Sequence, residues 1–234
     1  MDKEILISGL KSLGYDINEE KLIKFQKYSE MLVEWNEKMN LTSIVDPEGI
    51  SVKHFLDSVA PIFSFEIKEN AKIIDVGTGA GFPGIPIKIL REDLDFVYLD
   101  SLNKRISFLK EVSDNLNFEN VEFVHMRAEE AGQNKSHREI YDYAVSRAVA
   151  PLKILSEYAI PLLKKGGTFA AFKAFDIDEE LNDAKAMIGS LGGKITDIKE
   201  VKIPKSDLVR RIVLIEKIKE TPRMFPRKPN KIKK

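Results

Sequence analysis

The chain has no cysteine among its 234 residues and only three histidines, His54, His125 and His137. Disulfide bonds, thiolate catalysis and cysteine-ligated zinc are therefore excluded. The histidines are scattered along the chain without the spacing of a metal site, so we expect no metal. The absence of cysteine also fits a reducing compartment.

Long apolar runs are missing as well. The N-terminal stretch "MDKEILISG" lacks the basic start and the long apolar segment of a signal peptide. No run approaches the roughly 20 apolar residues that span a bilayer. We therefore expect a cytoplasmic protein that makes no use of a membrane.

The charge is balanced in number but not in position. There are 37 basic and 37 acidic residues, yet the segment from Lys199 to the end holds 13 Lys and Arg against 4 Asp and Glu. The last fourteen residues, "TPRMFPRKPNKIKK", contain six basic residues and no acidic one. Such a tail is typical of a protein with a polyanionic partner. A solvated, frayed terminus is the alternative explanation.

The first part of the chain, 1–65, has helical periodicity. Asn18 followed by two glutamates predicts the start of a helix, and Asn40 predicts its end. A second helix is predicted from about Gly49 to Phe63. These helices precede a different pattern that begins near residue 71.

From that point, short apolar runs alternate with amphipathic helices. Seven segments read as strands: AKIIDVG (71–77), DFVYLDS (95–101), VEFVHMR (121–127), YDYAVSRAV (141–149), TFAAFKAF (168–175), ITDIKEVKIP (195–204) and VRRIVLIEKI (209–218). The helix before the fifth strand is predicted to run from Pro151 to a glycine stop at 166–167. Alternation of this kind predicts a mostly parallel sheet covered on both faces. The last two strands have no helix between them and should pair antiparallel.

A glycine-rich turn follows the first strand in "IIDVGTGAGFPGIPIKIL" (73–90). No Gly-Lys-Ser/Thr follows it, which excludes a phosphate-binding loop of the nucleoside triphosphatases. Gly79, Gly81 and Gly84 do match G-x-G-x-x-G, and Asp100 lies at the end of the next strand. This pattern fits either a dinucleotide or S-adenosylmethionine, because both need a tight turn and an acid for ribose hydroxyls.

Three features favour S-adenosylmethionine. Asp75 leads into the turn, where a carboxylate suits a cationic sulfonium better than a pyrophosphate. Glu129 and Glu130 end the third strand, where methyltransferases usually hold the adenine amino group. The chain ends in two consecutive strands, whereas a dinucleotide-binding fold would have a second mononucleotide-binding half there. Asp75 as a structural cap and Glu129 as a solvated acid remain the alternatives.

Several longer runs resemble one family in their order along nearly the whole chain. They are "WNEKMNLTSI" (35–44), "HFLDSV" (54–59), "DVGTGAGFPGIPIKI" (75–89), "LDSLNKRISFL" (99–109), "RAEE" (127–130) and "SRAVAPL" (146–152). These runs are similar to the RsmG (formerly GidB) family of bacterial rRNA methyltransferases. The resemblance implies methyl transfer from S-adenosylmethionine to guanine N7 at position 527 of 16S rRNA.

The resemblance also implies a fold and a domain organisation. We expect an α/β, Rossmann-like class I methyltransferase with a mostly parallel seven-stranded sheet and an antiparallel last strand. Its expected parts are an N-terminal helical extension (1–65), a cofactor-binding domain (66–220) and a basic tail (221–234). The expected partner is 16S rRNA, within the 30S subunit or an assembly intermediate, and the expected state is a monomer.

Candidate site residues follow from the same resemblance. Those implied for the cofactor are Gly77, Gly79, Phe82, Asp100, Ala128, Glu129 and Arg147. Those implied for RNA are Arg147, Lys173, Arg223, Arg227 and Lys228. Because guanine N7 carries no proton, no residue is assigned as a proton acceptor. The roles of His54 and Asp57 stay open.

Two departures from the family pattern concern the backbone rather than the charges. The stretch Pro226–Lys231 lacks a glycine that many relatives carry, and Ala174 stands where relatives often have glycine.

Two other functions remain as alternatives. One is an NAD-dependent oxidoreductase, and the other is a non-catalytic RNA-binding assembly factor.

Overall fold

A seven-stranded sheet forms the centre of the protein, in a computed structural model that describes residues 1–232. The strand order is β3-β2-β1-β4-β5-β7-β6. Strands β1 to β5 pair in parallel, and β7 runs antiparallel to both β5 and β6. This confirms the predicted sheet. The strands are β1 Lys72–Val76, β2 Asp95–Asp100, β3 Val121–His125, β4 Tyr141–Arg147, β5 Leu163–Lys173, β6 Gly193–Lys202 and β7 Val209–Lys217.

Helices cover both faces of this sheet. They are α1 Lys3–Ser12, α2 Glu19–Met39, α3 Pro47–Gly49, α4 Asp57–Val59, α5 Gly84–Leu90, α6 Asn103–Leu116, α7 Ala128–Ala131, α8 Leu152–Ala159, α9 Asp178–Ser190 and α10 Pro229–Ile232. Alternate residues of β2 enter opposite cores: Phe96 packs on the side of α1, α2 and α6, and Val97 on the side of α8 and α9. Burial on both faces explains why the strands read as apolar runs.

Helix α2 begins and ends where the sequence predicts. The Asn18 side chain accepts a hydrogen bond from the Lys21 amide at 2.9 Å. Asn40 ends the helix in the left-handed conformation, with φ 49°. Asparagine tolerates that conformation better than most residues, so it is a common helix stop. Helix α1, in contrast, was not distinguished as a separate element.

The helical backbone from 47 to 63 changes type along its length. It starts as α3, continues as a π-helix over Ile50–Leu56, returns to α-helix in α4 and ends as a 3₁₀-helix over Ala60–Phe63. The sequence predicts this helix but not its π segment. A π-helix is wider than an α-helix and often lies at a functional site. Here it carries His54 and leads directly into Asp57.

The start of β5 corrects one prediction. The preceding helix does not run to the glycines at 166–167, because it ends in a 3₁₀ turn at Ile160–Leu162 that contains Pro161. Proline lacks an amide hydrogen and stops the helix. Strand β5 then begins at Leu163, and a Cβ atom on Gly167 would lie 2.9 Å from three backbone oxygens. Gly167 therefore permits close approach of the chain inside the sheet.

The C-terminal segment packs against the body of the protein. Arg138 donates hydrogen bonds to the carbonyl oxygens of Thr221 at 2.6 Å and Phe225 at 2.7 Å. A Cβ atom on Gly132 would lie 2.5 Å from Pro226, so the segment touches the chain just after α7. Lys233 and Lys234, two basic residues of the predicted tail, lie outside the described residues. Within 1–232 no helix is both long and apolar enough to cross a membrane.

Candidate active site

A cavity of about 580 Å³ opens at the carboxyl ends of β1, β2 and β4. Ligands of open α/β sheets bind at this edge, and the volume lies within the usual range of about 300–1,000 Å³ for small-molecule sites. All seven residues predicted to bind the cofactor line it: Gly77, Gly79, Phe82, Asp100, Ala128, Glu129 and Arg147. The structure thus brings this predicted set together.

The glycine turn after β1 forms the floor of the cavity. Gly77 and Gly79 have φ values of 71° and 61°, which L-residues with side chains rarely adopt. A Cβ atom on Gly77 would lie 2.8 Å from Val149, whereas one on Gly79 would meet nothing closer than 4.0 Å. The backbone at Gly79 is therefore open to the cavity.

Asp100, at the end of β2, is oriented by the turn itself. Its Oδ2 accepts hydrogen bonds from the Gly79 amide at 3.0 Å and from Arg105 at 3.3 Å. Its Oδ1 accepts one from the Leu102 amide at 2.9 Å. A carboxylate has about four acceptor positions, so this side chain can still accept a hydrogen bond from a ligand hydroxyl.

Asp75 braces the turn and does not line the cavity. It is fully buried, and its Oδ2 accepts hydrogen bonds from the Thr78 hydroxyl at 2.7 Å and the Gly84 amide at 3.0 Å. Burial raises the pKa of Asp75 from 3.8 to about 7. The expectation of a carboxylate beside a sulfonium is thus corrected, and Asp75 is the structural cap that was the alternative.

Glu129 lines the same cavity as the glycine turn. The sequence placed it at the end of the third strand, but β3 ends at His125 and Glu129 belongs to the short helix α7. Its carboxylate accepts no hydrogen bond from residues 1–232, although the residue is only 9% exposed. The carboxylate oxygens are open to the cavity, since they are not among the fully buried side-chain atoms that lack a hydrogen-bond partner. They can therefore accept a hydrogen bond from a ligand amino group.

Phe82 contacts both His54 and Arg147 on the cavity wall. The rings of His54 and Phe82 stack with centroids 4.4 Å apart, and the Arg147 guanidinium lies 5.0 Å from the Phe82 centroid. Burial and the nearby charge of Arg147 lower the pKa of His54 to about 4. The imidazole is therefore neutral at physiological pH, and it serves as a packing surface.

Asp57 holds two arginines at the edge of the cavity. Arg147 Nη1 donates to Asp57 Oδ2 at 3.0 Å, and Arg210 Nε donates to Asp57 Oδ1 at 2.7 Å. The structure thus gives Asp57 a contact that the sequence left open. Sequence reasoning missed Arg210, although two adjacent arginines in the apolar strand β7 were a usable signal.

Lys173 lies outside this cavity, which we call the cofactor cavity after the cofactor predicted for it, and it lines a neighbouring cavity of about 320 Å³. Its ammonium donates to the Ala150 carbonyl at 3.1 Å and pairs with Glu180 at 2.5 Å. The two cavities share Arg147 and Ala148 in their walls. Lys173 is therefore next to the cofactor cavity rather than in it.

The predicted RNA-binding residues of the tail have different environments. Arg227 pairs with Glu157 of α8, whose side chain is 0% exposed, at 2.7 Å between Nη2 and Oε2. Arg223 and Lys228 are exposed. Pro229 lines the cofactor cavity, so the tail forms part of its wall. In residues 1–232 no three His, Asp or Glu side chains are placed to hold a metal ion.

Comparison with solved structures identifies the fold. A SAM dependent methyltransferase from Aquifex aeolicus is similar, with a TM-score of 0.55 and 19% identity over 79% of this chain and 98% of that chain. The fibrillarin pre-rRNA processing protein of Methanococcus jannaschii has a TM-score of 0.52 and 22% identity, covering 68% of this chain and 74% of that chain. These likenesses confirm the predicted Rossmann-like fold.

Sequence comparison identifies the family. The family described as rRNA small subunit methyltransferase G matches residues 21–209. Ribosomal RNA small subunit methyltransferase G of Alkaliphilus metalliredigens is 51% identical over 97% of this chain and 95% of its own length. Its counterpart in Clostridium perfringens is 49% identical over 99% of this chain and 97% of its own length. The chain therefore belongs to the rRNA small subunit methyltransferase G family.

Proposed function

We propose that this protein transfers a methyl group from S-adenosylmethionine to guanine N7 at position 527 of 16S rRNA. The observation that carries the proposal is the cavity at the glycine turn, whose lining includes the carboxylates of Asp100 and Glu129. Membership of the rRNA small subunit methyltransferase G family supports the substrate. Residues 66–220 would form the cofactor-binding domain, 1–65 the helical extension and 221–234 the basic tail.

The residues around the cavity fit the cofactor. Gly79 leaves the backbone open, Asp100 retains acceptor positions for ribose hydroxyls, and Glu129 lacks a donor that the adenine amino group would supply. Phe82 would pack against the bound molecule. When bound, S-adenosylmethionine supplies an electrophilic methyl group on a sulfonium.

In this reaction the side chains need only orient the two reactants. Guanine N7 has an in-plane lone pair and no proton, so its attack on the methyl group needs no general base. The environments of His54 and Asp75 agree with this requirement, because the first is neutral and packed and the second is buried away from the cavity. Holding the two reactants in line is worth up to about 7–11 kcal/mol of the barrier.

Methyl transfer to defined particles tests the proposal. The purified protein is incubated with tritiated S-adenosylmethionine and either naked 16S rRNA or 30S subunits from cells that lack the gene. We expect label in at least one of these, and mass spectrometry of rRNA fragments should locate it at guanine 527. Subunits from cells that carry the gene serve as the control and should take up none.

Two results would contradict the proposal. The first is no incorporation into either substrate by protein that binds S-adenosylhomocysteine. The second is protection against heat by NAD(H) and not by S-adenosylhomocysteine, which would favour the oxidoreductase. We also propose that the protein works as a monomer in the cytoplasm, where small subunits are assembled; sedimentation at working concentration checks the oligomeric state.

A further inference from the structure

The cavity at the carboxyl end of β5 lies directly beside the cofactor cavity. The segment that separates them contains Arg147 and Ala148, which line both. Ala148 has φ 57°, a backbone conformation that is uncommon for a residue with a Cβ atom. The same two residues thus form part of the wall of both cavities, and Ala148 contributes only a methyl side chain. A ligand in the second cavity can therefore lie close to one in the first.

The walls of this second cavity carry no net charge. Three cations face three carboxylates: Arg147, Lys173 and Arg210 with Asp57, Asp176 and Glu180. A site for a phosphate is expected to have an excess of cations and donors. A neutral ligand that both donates and accepts hydrogen bonds matches a balanced wall better. Among the parts of an RNA chain, that description fits a nucleobase.

Lys173 and Glu180 keep hydrogen-bonding capacity that no protein group uses. Glu180 Oε1 accepts from the Leu152 amide and from Lys173, whereas its Oε2 accepts nothing from residues 1–232. The Lys173 ammonium has three donors, and the Ala150 carbonyl and Glu180 take two. The free Oε2 of Glu180, which has two acceptor positions, and one donor of Lys173 therefore stand next to each other at the wall of the cavity.

We propose that the second cavity receives the target guanine. Glu180 accepts from N1–H and the 2-amino group, and Lys173 donates to O6. This arrangement reads the Watson–Crick edge of a base that has been splayed out of the RNA. It leaves N7, on another edge of the base, unobstructed toward the cofactor cavity. The inference rests on the proposed function, since it names the site that holds the methyl acceptor.

Glu180 also has a structural role, because its Oε1 accepts a hydrogen bond from the first amide of α8. A loss of activity in a Glu180 variant would therefore not separate recognition from stability. Glu180→Gln keeps an oxygen for that amide and removes the charged acceptor. The informative readout is the preference between guanine and inosine, which lacks only the 2-amino group.

The test uses 30S particles assembled on ligated 16S rRNA with either guanosine or inosine at the target position. For the wild-type protein we expect kcat/KM to be about 10- to 100-fold higher for guanine, the usual effect of a hydrogen bond to a charged group. In Glu180→Gln both values should fall, because inosine keeps the N1–H from which Glu180 accepts, but the guanine value should fall further, so that the preference for guanine shrinks toward one. The affinity for S-adenosylhomocysteine should not change.

The matched control is Asp183→Asn on the same helix, α9. It removes the same charge from a side chain that is 78% exposed and lies 4.0 Å from Lys153. We expect it to keep the wild-type preference for guanine. A preference that is unchanged in Glu180→Gln, or absent in the wild-type protein, would overturn the inference while methyl transfer to guanine stands.

Two further outcomes are also decisive. If the cavity holds a backbone phosphate, Glu180→Gln should tighten RNA binding, because it removes a negative charge, and should leave the base preference intact. That result would overturn the nucleobase assignment. If the wild-type protein methylates no guanine particle at all, the proposed function fails and this inference fails with it.

Discussion

Replacing Arg227 with alanine should release the C-terminal segment from the protein without unfolding the rest. The Arg227 guanidinium makes Nε and Nη2 hydrogen bonds of 2.9 Å and 2.7 Å to Glu157, which is fully buried. Removing the guanidinium leaves Glu157 with only one donor among residues 1–232, the backbone amide of residue 227 at 2.6 Å, and breaking a buried ion pair costs about 3–5 kcal/mol. The segment can lower that cost by detaching, because water then reaches Glu157.

The size of the effect follows from these two bonds. Each charge-assisted hydrogen bond contributes about 1.5–3 kcal/mol, so their loss is worth at least about 3 kcal/mol. Since 1.36 kcal/mol corresponds to a factor of ten, the docking equilibrium should shift by about 100-fold or more. Pro229 would leave the wall of the cofactor cavity at the same time, and the affinity for S-adenosylhomocysteine should fall.

Hydrogen exchange with mass spectrometry measures the release. Amides of residues 225–232 should exchange about 100-fold faster in Arg227→Ala, because local opening sets their protection. The strands should keep their wild-type exchange. Arg227→Lys should be intermediate, since an ammonium lacks the planar fork that binds both carboxylate oxygens. Lys228→Ala is the control, because Lys228 is exposed, and its tail should exchange as in the wild-type protein.

Equal exchange of the tail in wild type and Arg227→Ala would refute the reasoning, because it would show that the ion pair does not hold the segment.

RNA binding gives a second comparison. Lys228→Ala should weaken it and reduce its salt dependence by about one counterion. A role for Arg227 in direct phosphate contact stays a prediction, and it requires that the guanidinium leave Glu157.

Three other changes test the site. Asp100→Asn should raise the dissociation constant of S-adenosylhomocysteine by about 10- to 100-fold in calorimetry, through the loss of a charged acceptor; an unchanged constant would remove Asp100 from the cofactor site. The pKa of Asp75 is raised to about 7, so the folded protein holds a proton that the unfolded chain releases above about pH 4. Protonation of Asp75 therefore makes the folded protein more stable as the pH falls. In urea unfolding, the free energy of unfolding of the wild type minus that of Asp75→Asn should increase by about 1 kcal/mol for each pH unit below 7. The comparison with the variant is necessary because His54 has the opposite effect. Its lowered pKa reduces the free energy of unfolding of both proteins as the pH falls from about 6.5 to 4. Asp57→Asn should lower the free energy of unfolding by about 3 kcal/mol, since two arginines lose their carboxylate. A free energy of unfolding equal to that of the wild type would show that water solvates both guanidinium groups instead.

The sheet was predictable from the sequence because its strands are buried on both faces. Runs such as "KIIDV" and "DFVYLD" then stand out from the amphipathic helices between them. Helix α2 was predictable at both ends, because Asn18 and Asn40 make the local contacts that start and stop a helix. The start of β5 was not, since Gly166 and Gly167, a pair that usually ends a helix, lie inside the strand, and Gly167 lies where backbones approach closely.

The candidate site was predictable where one turn and the strand ends determine it. The glycines, Asp100 and Glu129 follow their strands at short distances along the chain. The contacts of Asp57 were not predictable, because its partners lie 90 and 153 residues away and nothing local records them. The same holds for Glu157, a buried acid in α8 whose only sign in the sequence is a charge within an apolar helix.

The π-helix over Ile50–Leu56 makes the length of this segment as important as its composition. A π-helix has more residues per turn than an α-helix, so the same seven residues in α-helical winding would turn the chain beyond them through a larger angle. Asp57 would then face away from both arginines although every side chain of the site was still encoded. A relative with an ordinary α-helix here would therefore need a segment about one residue shorter in order to keep Asp57 in contact with both arginines.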